Sequence, residues 1–377
     1  MARHETAYRF PWHGGNQVEL LLDGQIFFPA MLQAITQAGH QILLEMYLFE
    51  SGQLASRFIQ ALCHASQRGV AVHLLLDDFG ARSLQQADRR QLQQAGVVLG
   101  FYNPLHYGKW RRNLFRDHRK LLIIDGKLAF IGGTGLTDEF DGHHQSLAWH
   151  EIMLRFRGPV VGDAVQLFSE NWQRLSKQTI SPAAPSAPHR RDQLARLSIN
   201  APSRMAIKRS LLKQLDQAGA RIWISTAYFI PSWKIRRRLK RAAIQGVDVR
   251  LLLPGQHTDH PAVRHAGRRY YAQLLRSGVR IFEYQPRFLH AKMMLCDHWA
   301  SIGSSNIDRW NLRWNLEANL EVLDEHFARQ LQTIFEDDFE QSREMHYPNW
   351  QQRPWHRRLQ EDFWGWIARK LEGISQK

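Results

Sequence analysis

Cysteine is scarce in this chain of 377 residues: there are two, Cys63 and Cys296, both in apolar runs and neither in a C-x-x-C pair. That scarcity excludes a disulfide-stapled module and fits buried free thiols in a reducing compartment. Long hydrophobic runs are missing too. Apolar stretches such as Ile42–Leu48 fall far short of the roughly 20 residues a helix needs to cross a bilayer. The opening Met1-Ala2-Arg3-His4-Glu5 leads into mixed polar sequence without a signal-peptide core. The expectation is a cytoplasmic protein that meets a membrane only from outside. Negative charge is in short supply: 35 Asp and Glu stand against 50 Lys and Arg, a formal net charge of +15. Such a surplus favours a polyanion, and charge alone does not choose between nucleic acid and an anionic membrane surface. The 13 tryptophans lean towards a lipid interface, where amphipathic rings settle.

What the chain does have is a short pattern written twice. His118-Arg119-Lys120-Leu121-Leu122-Ile123-Ile124-Asp125 and His290-Ala291-Lys292-Met293-Met294-Leu295-Cys296-Asp297 both read H-x-K-x-x-x-x-D. The apolar residues before each Asp predict a buried strand. Alternate residues of a strand share a face, so His118 and Lys120 point the same way, as do His290 and Lys292. Asp125 and Asp297 fall on the opposite face and are expected to be structural. A turn of small residues follows each copy: Gly132-Gly133-Thr134-Gly135 and Gly303-Ser304-Ser305-Asn306.

Two lysines and two histidines suit a phosphodiester. Lysines bind its non-bridging oxygens as point charges. Imidazoles, with an ordinary pKa near about 6.5, can divide the remaining work. One, neutral, attacks phosphorus and forms a phosphohistidine. The other, protonated, delivers a proton to the leaving oxygen and later takes one from the incoming alcohol or water. That chemistry requires no metal and no cofactor. The histidines His143, His144 and His150 read as a solvated loop, because no acid-rich ligand set accompanies them.

The duplicated motif resembles the phospholipase D superfamily, and the stretches around it, from about Trp12 to about Leu323, look like bacterial cardiolipin synthases of the branch without an N-terminal membrane span. The resemblance implies an α/β fold: two similar phospholipase D-like domains, each a mixed, mostly parallel sheet flanked by helices, related by a pseudo-two-fold axis with one active site between them. It implies that Glu151, in Trp149-His150-Glu151, holds His118, and that Glu317 holds His290. A carboxylate on the second ring nitrogen fixes the tautomer of a working imidazole. It adds Asn306 and Ser304 as phosphate donors. The first half departs from the family here, because Gly135 stands where an Asn is usual; a backbone N–H or the Thr134 hydroxyl is left to substitute. The implied reaction is phosphatidyl transfer, with phosphatidylglycerol as donor and acceptor and His118 as nucleophile, although the symmetry of the motifs leaves that last assignment reversible. Hydrolysis by water, nuclease activity and a non-catalytic membrane-binding role are the alternatives. The implied partner is an anionic phospholipid surface on the cytoplasmic side of the bacterial inner membrane, touched peripherally. Nucleic acid is disfavoured by the basic aromatic tail, and nothing in the sequence specifies a protein partner.

Along the chain, strand and helix patterns alternate as parallel βαβ units do. Residues 1–180 form the first domain, 181–200 a Pro-rich linker and 201–340 a second domain that repeats the first. The segment Pro104–Arg116, with Tyr107, Lys109, Trp110, Arg111 and Arg112, is expected at the site mouth. The helix around Lys234–Arg241 reads as a solvated basic face or an anionic-surface contact. The tail, 341–377, has no counterpart in the repeat. Phe363, Trp366, Ile367 and Leu371 fall on one helical face, which suits either interfacial binding or packing on the protein's own core.

Overall fold

Aliphatic runs and amphipathic stretches alternate through each half, and in the computed structural model they become strands and helices in that order; the structure describes residues 9–106, 108, 113–142, 148–180, 186–201, 204–308, 315–354, 361, 363 and 364. The first half holds β1 (His13–Leu22), α1 (Gly24–Gln37), β2 (Gln41–Met46), α2 (Gln53–Gln67), β3 (Ala71–Asp77), α3 (Gln86–Gln94), β4 (Val98–Tyr102), β5 (Lys120–Ile124), β6 (Leu128–Gly132), β7 (Ile152–Arg157) and α4 (Val160–Ser176). The second holds β8 (Gln193–Ala201), β9 (Arg204–Met205), α5 (Ala206–Gln217), β10 (Arg221–Ser225), α6 (Trp233–Ile244), β11 (Asp248–Pro254), α7 (Pro261–Arg268), α8 (Tyr271–Leu275), β12 (Arg280–Tyr284), β13 (Met293–Cys296), β14 (Trp299–Gly303), β15 (Glu317–Leu323) and α9 (Glu325–Glu340), then β16 (Ser342–Met345) and α10 (Tyr347–Gln351).

The strand order is β1-β7-β6-β5-β2-β3-β4 in the first half and β8-β15-β14-β13-β10-β11-β12 in the second. These are the same order, strand for strand. Within each half three strands run parallel, β2-β3-β4 and β10-β11-β12, and the motif strand lies antiparallel beside the first of them. β2 is buried at every position, as a central strand covered on both faces must be. β1 and β8 pair across the boundary, so the two half-sheets join at that edge.

Side-chain alternation then divides the core. Leu122 and Ile124 of β5 pack under α1 and α2, whereas Leu121 and Ile123 enter a core shared with Met293 and Leu295 of β13. Met294 and Cys296 face the other way, into the core of the second half. The shared core is the seam between the halves. Cys63 and Cys296 are both buried free thiols.

Two boundaries differ from the sequence reading. The stretch taken as a linker over 181–200 contains most of β8, which pairs with β1 and β15. The last proline of that stretch is Pro188, and the Gln193–Ala201 run beyond it has the alternation of a strand. The tail begins as edge strand β16 on β12, and Trp350 packs in the second-half core. Phe363 is exposed, while Trp366, Ile367 and Leu371 lie outside the described residues, as do Tyr107, Lys109, Trp110, Arg111, Arg112, His143 and His144. Among the described residues no helix is long and apolar enough to cross a membrane.

Candidate active site

Each motif strand starts at the seam, and backbone bonds from the other half hold its first residues. The His118 N–H donates to Leu316 O (2.9 Å) and the Leu316 N–H to Arg116 O (2.9 Å). In the mirror arrangement, His290 N–H donates to His150 O (2.8 Å) and His150 N–H to Phe288 O (2.8 Å). The isolated bridges Asp117–Leu316 and His150–Leu289 are thus one contact made twice with the halves exchanged, as an isologous interface requires.

This exchange decides which carboxylate meets which histidine. Glu317 follows Leu316, so its oxygens lie 3.0 and 3.1 Å from His118 Nδ1. Glu151 follows His150, and its Oε2 lies 2.6 Å from His290 Nδ1. The pairing is therefore crossed: the expectation that Glu151 holds His118 and Glu317 holds His290 is corrected. A carboxylate that follows a motif in sequence reaches, through the two-fold seam, the histidine of the other motif.

Burial dominates the electrostatics. Both lysines are buried, Lys120 with Nζ donating to His118 O (2.7 Å), and Lys292 with Nζ donating to His290 O (2.5 Å) and lying 3.7 Å from Glu151. Desolvation, with the second lysine nearby, pulls Lys120 down to about 7. Burial and the two ammonium groups push the His118 pKa well below its ordinary value. Burial and Lys292 bring His290 down to about 4, against the pull of Glu151. The two carboxylates diverge. Burial lifts Glu317 to about 8 despite Lys120. Burial works the same way on Glu151, but Lys292 and His290 overcome it and hold that group below its usual range. Gly133 is required where it stands: a Cβ there would lie 2.5 Å from Glu151 Oε2 and 3.0 Å from Lys292 Nζ.

The turn residues divide into one that fits the expected phosphate contact and two that do not. Asn306 is fully buried; its Oδ1 accepts from the Thr226 hydroxyl (3.2 Å), and its Nδ2 has no hydrogen-bond partner among the described residues. A buried donor without an acceptor fits an oxygen-rich ligand. Ser304, expected to bind substrate, instead donates its hydroxyl to the Glu317 carboxylate and accepts from Ala318 N–H (3.1 Å). Thr134, one of the two substitutes for the missing Asn beside a backbone N–H, donates its hydroxyl to Gly135 O (3.1 Å). In both residues a small buried hydroxyl satisfies itself on the nearest protein acceptor. At Gly135 the side chain of Leu48 lies 3.0 Å from where a Cβ would be, so apolar contact occupies that side of the site. Asp125 and Asp297 bind backbone away from the cavity. Each sits in left-handed backbone past its strand and accepts three N–H groups: Gly39, His40 and Gln41 for Asp125, and Gly219, Ala220 and Arg221 for Asp297.

The two half-sites open on a cavity of about 210 Å³ that His118, Lys120 and His290 line together. Its other walls were not foreseen: Tyr47, Leu48, Phe140 and Trp149 from the first half, Tyr228, Asp259 and His260 from the second. Tyr47 meets the His118 ring edge-on at 4.7 Å between centroids and lies 5.0 Å from Lys120 Nζ. The available signal was position in the repeat, since Leu48 and Tyr228 stand at equivalent places past β2 and β10. His150 is not part of a solvated loop either: it is buried, with one ring nitrogen 2.9 Å from Asp23 and the other 3.0 Å from Asp338. Against the cost of burial, those two carboxylates raise it to about 9.

Comparison with known proteins agrees with this geometry. The family model described as "Cardiolipin synthase, PLD-like domain" matches twice, over residues 31–172 and 211–339. Cardiolipin synthase B of Escherichia coli (strain K12) is 35% identical over 334 residues, 85% of this chain and 79% of the relative. Cardiolipin synthase A of Pseudomonas putida (strain GB-1) is 34% identical over 343 residues, 89% of this chain and 71% of the relative. The crystal structure of a phosphatidylserine synthase from Haemophilus influenzae Rd KW20 superposes with a TM-score of 0.75 over 98% of both chains at 12% identity, a likeness of fold.

Proposed function

This chain belongs to the cardiolipin synthase family of phospholipase D-like proteins, and from that premise we propose that it joins two phosphatidylglycerol molecules into cardiolipin and glycerol through a phosphohistidine intermediate. The observation that carries the proposal is the facing of two His–Lys–Glu sets across one cavity.

In this reading Lys120, Lys292 and the Asn306 amide hold the phosphodiester. The free ring nitrogen of His118 attacks phosphorus while His290 gives its proton to the departing glycerol oxygen, leaving a phosphatidyl group on His118. The hydroxyl of a second phosphatidylglycerol then loses its proton to His290 and displaces His118. The unlike carboxylates support this division of roles. Glu317, lifted to about 8, is largely protonated at neutral pH and leaves His118 uncharged, fit to attack. Glu151 remains ionised and supports a charged His290. A phosphodiester anion held beside Lys292 offsets the lysine charge that, with burial, depresses His290. The net charge of +15 supports peripheral work at an anionic surface, the cytoplasmic face of the bacterial inner membrane.

The test is purified protein with head-group-labelled phosphatidylglycerol in mixed micelles without added metal, run beside His118→Ala and His290→Ala. Cardiolipin and free glycerol, both lost in the two variants, are the expected products. Phosphatidic acid without cardiolipin would make the protein a phospholipase. No lipid turnover would overturn the reading and turn attention to nucleic acid as substrate.

A further inference from the structure

The duplicated half-sites are nearly symmetric, but the walls of the cavity they share are not. Leu48 in the first half corresponds to Tyr228 in the second, and Gly135 corresponds to Asn306. The loop after β11 brings Asp259 to the cavity, whereas the corresponding loop of the first half, residues 78–85, contributes none of the lining residues. One wall is therefore apolar and the other carries a carboxylate. The Tyr228 hydroxyl donates to Asp259 Oδ2 (2.5 Å), and the Asp259 side chain keeps 20% of its surface exposed. Burial and the neighbouring carboxylate push the Tyr228 phenol up, so it stays protonated and remains a donor.

A carboxylate is an odd lining for a site that takes a phosphodiester. It repels the phosphate and weakens the field of the two lysines. It is an acceptor only, and the groups that need an acceptor near His290 are hydroxyls. The His290 ring has Phe140 and Trp149 of the first half at 5.2 and 5.3 Å and Tyr228 at 6.5 Å, centroid to centroid, so Asp259, held by Tyr228, is the carboxylate in the lining around the histidine that handles the leaving and entering alcohols. A glycerol head group has one hydroxyl that reacts and a neighbouring one that does not. We propose that Asp259, held by Tyr228, is the head-group subsite: it accepts a hydrogen bond from the non-reacting hydroxyl of a polyol and so selects polyol acceptors over simple alcohols and water. The apolar wall around Leu48 is left to the diacylglycerol side of the phosphate. This assignment rests on the phosphatidyl-transfer reading above.

The test gives the enzyme an unlabelled phosphatidylglycerol donor with fixed, equal concentrations of carbon-13-labelled glycerol, ethanol and ethanolamine as competing acceptors, so that transfer to glycerol is read as labelled phosphatidylglycerol, and compares wild type with Asp259→Asn and Asp259→Ala. The readout is the ratio of glycerol-derived to ethanol-derived transfer product, which normalises away any loss of folded protein. The expected result is a fall in that ratio of about tenfold in Asp259→Ala, the size of one charge-assisted hydrogen bond, and a smaller fall in Asp259→Asn, which keeps an acceptor oxygen. An unchanged ratio would overturn the proposal. So would a greater loss of transfer to ethanolamine than to glycerol, which would make Asp259 a cation site. Absence of transfer to any alcohol by wild type would instead sink the transferase reading itself, and the two failures are told apart by that control.

Discussion

At the scale of single residues, the chemistry depends on charges held out of water. Burial and the two lysines hold His118 neutral, so its loss of a proton does not limit activity near neutral pH. In the proposed reaction Lys120 does: its pKa is lowered to about 7 by burial, and an ammonium holds phosphate as a point charge only while protonated. The value of kcat/KM, which reports the free enzyme, is expected to fall across pH 5–9 as His290 loses its proton and to fall more steeply above about 7 as Lys120 does, and a profile over that range checks it. A profile still rising at pH 8 would contradict this role for Lys120. Gly133 supplies a second expectation. Serine is the residue at the equivalent place in the other half, yet Gly133→Ser puts a Cβ 2.5 Å from Glu151 Oε2. Displacing the carboxylate that orients His290 should cost 10²–10³-fold or so in kcat, with the melting temperature little changed. The crossed carboxylates add a double-mutant check. Glu317→Gln and Ser304→Ala meet at one hydrogen bond and should be non-additive in kcat, whereas Glu151→Gln and Ser304→Ala should multiply more nearly.

At the scale of elements, the aspartate of each motif works on the backbone. Asp125 accepts the N–H groups of Gly39, His40 and Gln41 where α1 hands over to β2, and so fixes β5 against its neighbour. Asp125→Ala is expected to lower stability by about 2 kcal/mol in denaturant titration while the folded fraction keeps kcat within a few-fold. A collapse of kcat at full stability would make Asp125 part of the chemistry. His150 joins three elements, held by Asp23 after β1 and Asp338 on α9 while its carbonyl accepts from His290 N–H. Its folded pKa of about 9 lies above the unfolded value near about 6.5. Its ion pairs therefore stabilise fully below about pH 6.5, and that contribution drains away as pH rises through about 9. His150→Gln should be markedly less stable than wild type at pH 6 and approach it above pH 9, as melting curves across that range will show. The motif strands and their parallel neighbours were legible because alternation and apolar runs are local signals. Strand β8 was lost inside a Pro-rich stretch, since proline marks the end of one element without saying how soon the next begins.

At the scale of the molecule, the two halves share one core. Leu121, Ile123, Met293 and Leu295 belong to one buried core that spans the seam, so each half contributes apolar surface that the other helps to cover. Separately expressed halves, cut between Pro188 and Gln193, are expected to be insoluble or molten and inactive, with activity returning only when both refold together; a soluble, cooperatively melting half on its own would contradict this. The seam also makes a single cavity out of two motifs that lie 172 residues apart in sequence, by the count from His118 to His290.

The duplicated motif, the α/β repeat and the histidines and lysines that the fold brings to the seam were written in the sequence as local pattern and repetition, and the resemblance to a known family pointed to the two glutamates. Which glutamate serves which histidine did not. That is settled by Leu316 bonding to His118 and His150 to His290 across the two-fold seam, a contact between residues whose separation in sequence carries no sign of their pairing. The inward turn of the Ser304 and Thr134 hydroxyls, and the arrival of Asp259 at only one wall of the cavity, are likewise products of tertiary packing. Residue type states which hydrogen bonds a side chain is able to make; only the folded chain determines which partners lie within reach.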